Sequence, residues 1–295
     1  MYQKVLFPTD FSLHSQKIMG CIGEIPGIRE VVLLHVVDTI SSLKSGVGPG
    51  AEIERMKGLI AQDEKSIRNL GLTVLTNVDV MEKTVHEKTI GSRILETAER
   101  EKVSMIIMGA RGKSLRDMFL GSVSTYVLHH ATLPLLLVKS NEADGTQAPV
   151  NVPEKQPIFS KVLIPTDFSA PAEELLRFFK GIREVDEIIL LYVINAEKHD
   201  PRLPEYVSSA TTKLNVIRDE LVRSGFPVKG YVRVGYPPDE INLLAGQEQV
   251  TLIAMSPMGE GWRRELKELF VGSTTYAVVR RTERPVLVVR SIPVA

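Results

Sequence analysis

The chain has 295 residues, of which 43% are hydrophobic and 24% are charged, as in ordinary globular proteins. At roughly 100–200 residues per domain, this length predicts two domains or one large one. The 36 basic residues balance the 36 acidic ones, so bulk charge attracts neither nucleic acid nor an anionic membrane, and we expect neither partner. The lone cysteine, Cys21, excludes an intramolecular disulfide, and residues 1–10 lack the apolar core of a signal peptide. We therefore expect a cytoplasmic protein.

Strands and helices alternate along the first half of the chain. A buried strand is predicted over 4–7, and Ser12 is placed to cap a helix that ends near residue 23. Further predicted elements follow in order: strand 31–37, helix 52–70 closed by Gly71, strand 72–80, helix 90–102, strand 104–108, helix 122–130 and strand 135–138. This alternation predicts an α/β fold with a doubly wound parallel sheet flanked by helices.

The chain then repeats itself. Residues 4–12 recur at 161–169 with eight of nine residues identical, and 134–140 recur at 285–291. A period near 150 residues is too long for a solenoid repeat, and each copy is long enough to bury its own core. We predict tandem domains over 1–140 and 158–295, joined by an exposed proline-containing linker over 141–157.

Ligands of doubly wound sheets bind beyond the carboxyl ends of the strands. In the first copy, Gly109–Lys113 follows the fourth strand, and Gly121 and Ser122 open the next helix. Glycines allow close backbone approach, and a helix N-terminus with Arg111 and Lys113 nearby favours phosphate. The alternative is that the glycines only turn the loop and that Gly121 and Ser122 only begin the helix.

Asp10 and Asp167 each follow the first strand of their copy. Each is interpreted either as a cap of the next helix or as an acceptor for a nucleoside or its metal ion. The histidines show no zinc-binding spacing, and no Ser-His-Asp set emerges, so we predict structural roles for them and no catalytic residue.

Taken together, the segments Pro8–Ser12, Leu33–Val36, Met108–Gly112 and Gly121–Val123 resemble the universal stress protein family. The resemblance covers about 1–140 and again 158–292. It implies two tandem Rossmann-like domains of the adenine nucleotide α-hydrolase type, each with a five-stranded parallel sheet. It also implies binding of ATP, or of AMP or ADP, with Mg²⁺, because a subset of the family binds ATP through two glycine motifs.

The resemblance also implies a set of nucleotide-binding residues. In the first copy these are Pro8, Thr9, Asp10, Val36, Gly109, Ala110, Arg111, Gly112, Lys113, Gly121, Ser122, Val123 and Ser124, with Asp10 also near the metal. In the second copy they are, more weakly, Pro165, Thr166, Asp167, Val193, Gly259, Gly272, Ser273 and Thr274.

The chain departs from the family pattern in both copies. Between Gly112 and Gly121 there are eight residues where the family has nine. In the second copy Ser256 replaces the first glycine, and twelve residues separate Gly259 from Gly272. We therefore predict that the first domain binds ATP and that the second is weakened or specialised as a partner.

The resulting prediction is an ATP-binding cytoplasmic protein that acts as a nucleotide-dependent regulator or sensor in stress response. Two alternatives stay open: a slow ATPase or nucleotidyl transferase, with Asp10 as its one candidate base, and an interaction module that needs no nucleotide. We also expect the domains to pair within one chain through the strands 135–138 and 286–289, since apolar sheet edges favour association. A homodimer remains the alternative to that pairing.

Overall fold

A computed structural model describes residues 3–38, 49–81, 89–110, 120–139, 156–196, 200–258 and 271–290. The chain divides into two compact units, Met1–Val150 and Asn151–Ala295. Most of the predicted linker, 141–155, lies outside the described residues. Within the described part, no helix is both long enough and apolar enough to cross a membrane.

The first unit is a parallel sheet with helices between its strands. Its elements are β1 Lys4–Pro8, α1 Leu13–Cys21, β2 Glu30–Asp38, α2 Pro49–Arg68, β3 Thr73–Met81, α3 Ile90–Arg100, β4 Met105–Gly109, α4 Ser122–His130 and β5 Leu135–Val138. The sheet order is β3-β2-β1-β4-β5, with all neighbours parallel. Helix α2 begins three residues before its predicted start, because Pro49 suits the first turn of a helix.

The second unit repeats this arrangement. Its elements are β6 Lys161–Pro165, α5 Ala170–Lys180, β7 Glu187–Ile194, α6 Leu203–Arg223, β8 Val228–Val234, α7 Pro237–Gln247, β9 Leu252–Met255, α8 Ser273–Arg281 and β10 Val286–Val288. The strands follow the order β10-β9-β6-β7-β8, again all parallel. The predicted fold class, two α/β units that each carry a five-stranded parallel sheet, is confirmed.

The central strands form the core because helices cover both faces of the sheet. Residues 5–7 of β1 and 31–34 of β2 are completely buried, which explains why these strands are apolar without alternation. Cys21 is also in the core, and burial raises the pKa of its thiol to about 12. The thiolate is therefore disfavoured, and Cys21 behaves as a small apolar residue.

The helix ends follow the predicted chemistry. The Ser12 hydroxyl accepts a hydrogen bond from the Ser15 N–H at the start of α1. Gly71 closes the end of α2 in the left-handed region, at φ +80°. These local signals fix where each helix begins and ends, and so where the loops at the sheet edge start.

Candidate functional site

The strand order places a topological switch point between β1 and β4. From β1 the chain continues to β2 on one side of the sheet, whereas β4 pairs with β1 on the other side. In doubly wound sheets the ligand crevice opens at this point, beyond the carboxyl ends of the two strands. Pro8 and Thr9 lie at the end of β1, and Gly109 and Ala110 lie at the end of β4. The fold thus places the two predicted motifs on adjacent strands.

The turn that follows β1 is held by its own side chains. The Asp10 Oδ1 atom accepts hydrogen bonds from the Ser12 N–H at 3.0 Å and from the hydroxyls of Ser12 and Ser15 at 2.6 Å each. Because Ser12 is the N-cap of α1, Asp10 supports the capping residue and is not itself the cap. Phe11 has φ +58°, a left-handed conformation that is rare for residues other than glycine.

Thr9 connects this turn to the neighbouring elements. Its N–H donates to the Leu34 carbonyl of β2 at 2.8 Å, and its own carbonyl lies 2.8 Å from His35 Nδ1. Its hydroxyl accepts from the Phe11 N–H at 3.1 Å and donates to Asp63 Oδ2 of α2 at 3.2 Å. Four hydrogen bonds therefore fix Thr9 to β2, to α2 and to its own turn.

Asp63 was not among the predicted site residues. Its side chain is only 4% exposed, and burial raises its pKa, an effect opposed by the Thr9 hydrogen bond. The sequence did carry a signal, because Asp63 lies at helical spacing among the buried residues Met56, Ile60 and Ile67. A carboxylate on the apolar stripe of an amphipathic helix is costly unless it has a partner.

The N-terminus of α4 is pinned to the end of β4. The Gly121 N–H donates to the Ala110 carbonyl at 2.9 Å, and the Ser124 hydroxyl donates to the Gly109 carbonyl at 2.9 Å. Gly121 occupies the N-cap position and has no side chain to satisfy the first N–H groups of the helix. Such an N-terminus favours an anion, since its free N–H groups and the helix dipole both attract negative charge.

Val36 lies where β2 extends beyond its neighbour. Strand β1 ends at Pro8, opposite Leu34, whereas β2 continues to Asp38. Val36 pairs with Asp79 of β3 on its other side, and its side chain is largely buried. Residues 35–38 of β2, Val36 among them, therefore lie beyond the last residue of β1 that pairs with β2.

The described residues include most of the predicted set. At the carboxyl edge of the first sheet are Pro8, Thr9, Asp10, Val36, Gly109, Ala110, Gly121, Ser122, Val123 and Ser124. Arg111, Gly112 and Lys113 lie outside the described residues, as does Gly259 of the second copy. Across the described ranges no three His, Cys, Asp or Glu side chains group as metal ligands. A single carboxylate such as Asp10 fits Mg²⁺ where water and phosphate oxygens supply the other ligands, as is usual for this ion.

The second unit builds the same turn and the same pinned helix. The Phe168 N–H donates to the Thr166 hydroxyl at 3.1 Å, and Phe168 has φ +62°. The Ser169 N–H donates to Asp167 at 3.1 Å, and the Gly272 N–H donates to the Pro257 carbonyl at 2.7 Å. Val193 lies near the end of β7, and Ser273 and Thr274 are in the first turn of α8.

Two features distinguish the second unit. The Ser256 hydroxyl donates to the Met258 carbonyl at 2.9 Å, so the residue that replaces the first glycine bonds within its own loop. Tyr192 takes the position of His35: its ring stacks on Phe168 with a centroid distance of 4.6 Å, whereas the His35 ring is tilted against Phe11 at 4.5 Å. Beside this stack lies a cavity of about 360 Å³ that is also lined by Lys213 of α6.

Comparison with known proteins agrees with this architecture. The sequence model of the Universal stress protein family matches residues 1–139 and 159–290. Universal stress protein MJ0577 of Methanocaldococcus jannaschii is 32% identical in an alignment of 158 positions that covers 45% of this chain and 96% of that protein. A universal stress protein from Archaeoglobus fulgidus is 24% identical, with a TM-score of 0.70 over 98% of this chain and 97% of its own.

A further Archaeoglobus fulgidus universal stress protein was solved in complex with dAMP. It is 19% identical to this chain, covers 45% of it and 99% of its own length, and has a TM-score of 0.35.

The two segments matched by the family model, 1–139 and 159–290, each span one unit of the structure. This chain therefore belongs to the universal stress protein family and carries two copies of the family domain in one polypeptide.

Proposed function

We propose that the first unit binds an adenine nucleotide, ATP or its AMP or ADP form, with Mg²⁺. The observation that supports this most is the N-terminus of α4, which two hydrogen bonds hold at the end of β4, next to β1 at the switch point. Binding there would make the protein a nucleotide-dependent regulator or sensor in stress response, with the cytoplasm as the proposed compartment. A ligand regulates only through different affinities for two states, so we expect ATP to bias one conformation.

The proposed roles follow the position of each residue. The backbone at Val36 would contact adenine, and Asp10 would accept from the ribose or contribute one ligand to Mg²⁺. Gly121, Ser122, Val123 and Ser124 would surround the phosphates, together with Gly109, Ala110, Arg111, Gly112 and Lys113. Mg²⁺, when bound, would neutralise charge on the phosphate oxygens. Arg111 and Lys113 add positive charge in the same segment.

We propose binding and not turnover. Catalysis of hydrolysis needs a base within reach of the attacking water. Asp10 is the candidate, and its Oδ1 already accepts three hydrogen bonds from Ser12 and Ser15. A carboxylate held in this way is suited to shape a turn and to orient a ligand.

The second unit is proposed to bind nucleotide weakly or to act as the structural partner of the first. Ser256 adds a Cβ and a hydroxyl where the family pattern has a glycine, and its hydroxyl bonds within the loop. Pairing of the units through β5 and β10, the last strand of each sheet, is part of this proposal. Light scattering then gives a mass near 32.8 kDa, whereas twice that mass would favour pairing between chains.

A matched pair of variants tests the site. Ser122 and Ser273 are the first residues of α4 and α8, and both are exposed. An aspartate in the first turn of a helix is favourable for folding but repels phosphate. We expect Ser122→Asp to keep the melting temperature and to weaken ATP binding by calorimetry at least about tenfold, the effect of roughly 1.4 kcal/mol. Ser273→Asp should leave ATP binding as in the wild type. Equal effects of the two variants, or none, would contradict the proposal.

A further inference from the structure

The two copies differ at one position of their longest helices. Asp63 of α2 and Ile217 of α6 each lie eight residues before a glycine with positive φ, Gly71 or Gly225. The buried residues Ile60 and Ile67 of α2 have the same spacing to that glycine as the buried Leu214 and Leu221 of α6, so the helices can be compared residue by residue. Asp63 is buried, whereas Ile217 is half-buried. The first copy thus places a carboxyl group where the second has an aliphatic side chain.

A buried carboxyl is costly unless a partner compensates it. The causes of the Asp63 pKa shift are desolvation and the Thr9 hydrogen bond, and no charged side chain of the described residues contributes. Asp63 is 4% exposed, and the Thr9 hydroxyl lies 3.2 Å from its Oδ2 atom. Asp63 is therefore a poor choice for stability alone, which an aliphatic residue would supply better.

The partner of Asp63 lies at the candidate site. The Thr9 hydroxyl donates to Asp63 and accepts the Phe11 N–H at 3.1 Å. The Thr166 hydroxyl accepts the Phe168 N–H at the same distance, although the second unit has Ile217 in place of Asp63. Phe11 holds the left-handed conformation that turns the chain from β1 towards Ser12. Asp10 lies between Thr9 and Phe11 in this turn, so the direction of its carboxyl depends on the same bonds.

We propose that Asp63 is a positioning residue for nucleotide binding by the first unit. By accepting the Thr9 hydroxyl it restrains the turn 9–12, and with it Asp10, against movement when the nucleotide binds; the second unit forms the same turn without this restraint. Ile217 has no acceptor, so the second unit lacks this support. The inference rests on the proposed function, since it requires that the first unit binds nucleotide.

The test compares Asp63→Ile, which introduces the residue of the second copy, with Asp63→Asn, which keeps an acceptor oxygen. Calorimetry with ATP and Mg²⁺ on the full chain gives the affinity, and urea unfolding gives the stability. We expect Asp63→Ile to weaken ATP binding about three- to tenfold, the equivalent of one hydrogen bond, with stability unchanged or higher. Asp63→Asn should remain within about twofold of the wild type, since its side-chain oxygen still accepts.

A double-mutant cycle with Thr9→Val separates positioning from a general effect of the substitution. If Asp63 acts through the Thr9 hydroxyl, the double variant binds ATP no more weakly than Thr9→Val alone. Additive losses, or an Asp63→Ile variant that binds as well as the wild type, would overturn the inference. If the wild type itself binds no ATP while it remains folded, the proposed function fails, which is a different result.

Discussion

Gly91 illustrates how a single residue sets the packing of the first unit. It lies in the first turn of α3, and a Cβ atom there would be 2.9 Å from Tyr126 Cγ of α4 and closer still to Cδ1. Tyr126 is in turn stacked on His130 with a centroid distance of 4.0 Å, so the ring has little freedom to move. Helix α3 therefore approaches α4, the helix of the candidate site, only because residue 91 lacks a side chain.

Gly91→Ala is expected to lower the free energy of unfolding by about 1–3 kcal/mol, the usual cost of overpacking a core. Gly58→Ala is the control, since Gly58 lies within α2 with nothing near the position of its Cβ. There alanine should raise stability by about 0.5–1 kcal/mol, because glycine is a poor helix former. Urea unfolding of both variants measures the difference, and a Gly91→Ala chain as stable as the wild type would disprove the packing account.

The roles of individual residues could be predicted only in part from the sequence. Ser12 and Gly71 were assigned as a helix cap and a helix end because these functions depend on local backbone geometry alone. The contact between Thr9 and Asp63 joins residues 54 positions apart, so it exists only once α2 packs on the sheet. The role of His35, predicted as structural, is sharper in the structure, where its Nδ1 lies 2.8 Å from the Thr9 carbonyl.

At the scale of elements, the residues that follow two helices differ in backbone strain. Lys102 follows the last turn of α3 at φ +51°, a conformation that costs a residue with a Cβ about 1 kcal/mol. Gly71, which follows α2, adopts φ +80° without that cost. Both helices are followed by a residue with positive φ, but only the first of these residues has a Cβ.

Lys102→Gly is therefore expected to raise the free energy of unfolding by up to about 1 kcal/mol, and Gly71→Ala to lower it by about as much. Among the described residues, none has an atom within 4 Å of the place that a Cβ at residue 71 would take, so we expect that loss to come from the backbone. Thermal melts of the two variants test this, and shifts of the same sign would contradict it.

At the amino ends of the strands of the second sheet, side chains of β6 and β8 contact Glu248, the residue that follows α7. The Tyr231 hydroxyl donates to Glu248 at 2.6 Å, and the ammonium groups of Lys161 and Lys229 each lie 3.2 Å from the same carboxylate. Chiefly through the Tyr231 hydrogen bond, these contacts hold the pKa of Glu248 at about 2, below its ordinary 4.5. They stabilise the ionised form of Glu248 in the folded chain.

Because the folded pKa is the lower one, this contribution is complete above about pH 4.5 and is lost as the pH falls towards 2. We expect Glu248→Gln to lower the free energy of unfolding at pH 6 and to have a smaller effect near pH 3. Urea unfolding at the two pH values measures this. A destabilisation that is equal at both, or larger at pH 3, would show that ionisation of Glu248 is not the cause.

The ends of helices and strands could be predicted from the sequence where residues next to them mark the boundary. The predicted helix 122–130 and strand 135–138 coincide with α4 and β5, because Gly121 precedes the helix and Pro134 precedes the short apolar run that forms the strand. The start of α2 was predicted too late, because Gly46, Gly48 and Gly50 obscure the helical pattern around Pro49. Right-handed crossovers leave few topologies for such a sheet, but the order of its strands comes from the structure.

For the whole molecule, the repeat is the feature with most consequences. Both units have the same strand order, the same turn after their first strand and the same pinned helix. They differ at Asp63 and Ile217, at His35 and Tyr192, and at Gly109 and Ser256. Each difference lies at or beside the carboxyl edge of a sheet, where doubly wound sheets in general bind ligands. The copies thus share the fold, while their candidate ligand sites have diverged.

We propose that one unit, the first, binds the nucleotide. The most direct measurement is the stoichiometry of ATP binding to the full chain by calorimetry in the presence of Mg²⁺. One ATP per chain is predicted, and Ser122→Asp should greatly weaken that site while Ser273→Asp preserves it. Two equal sites, or a single site weakened by Ser273→Asp, would contradict the account.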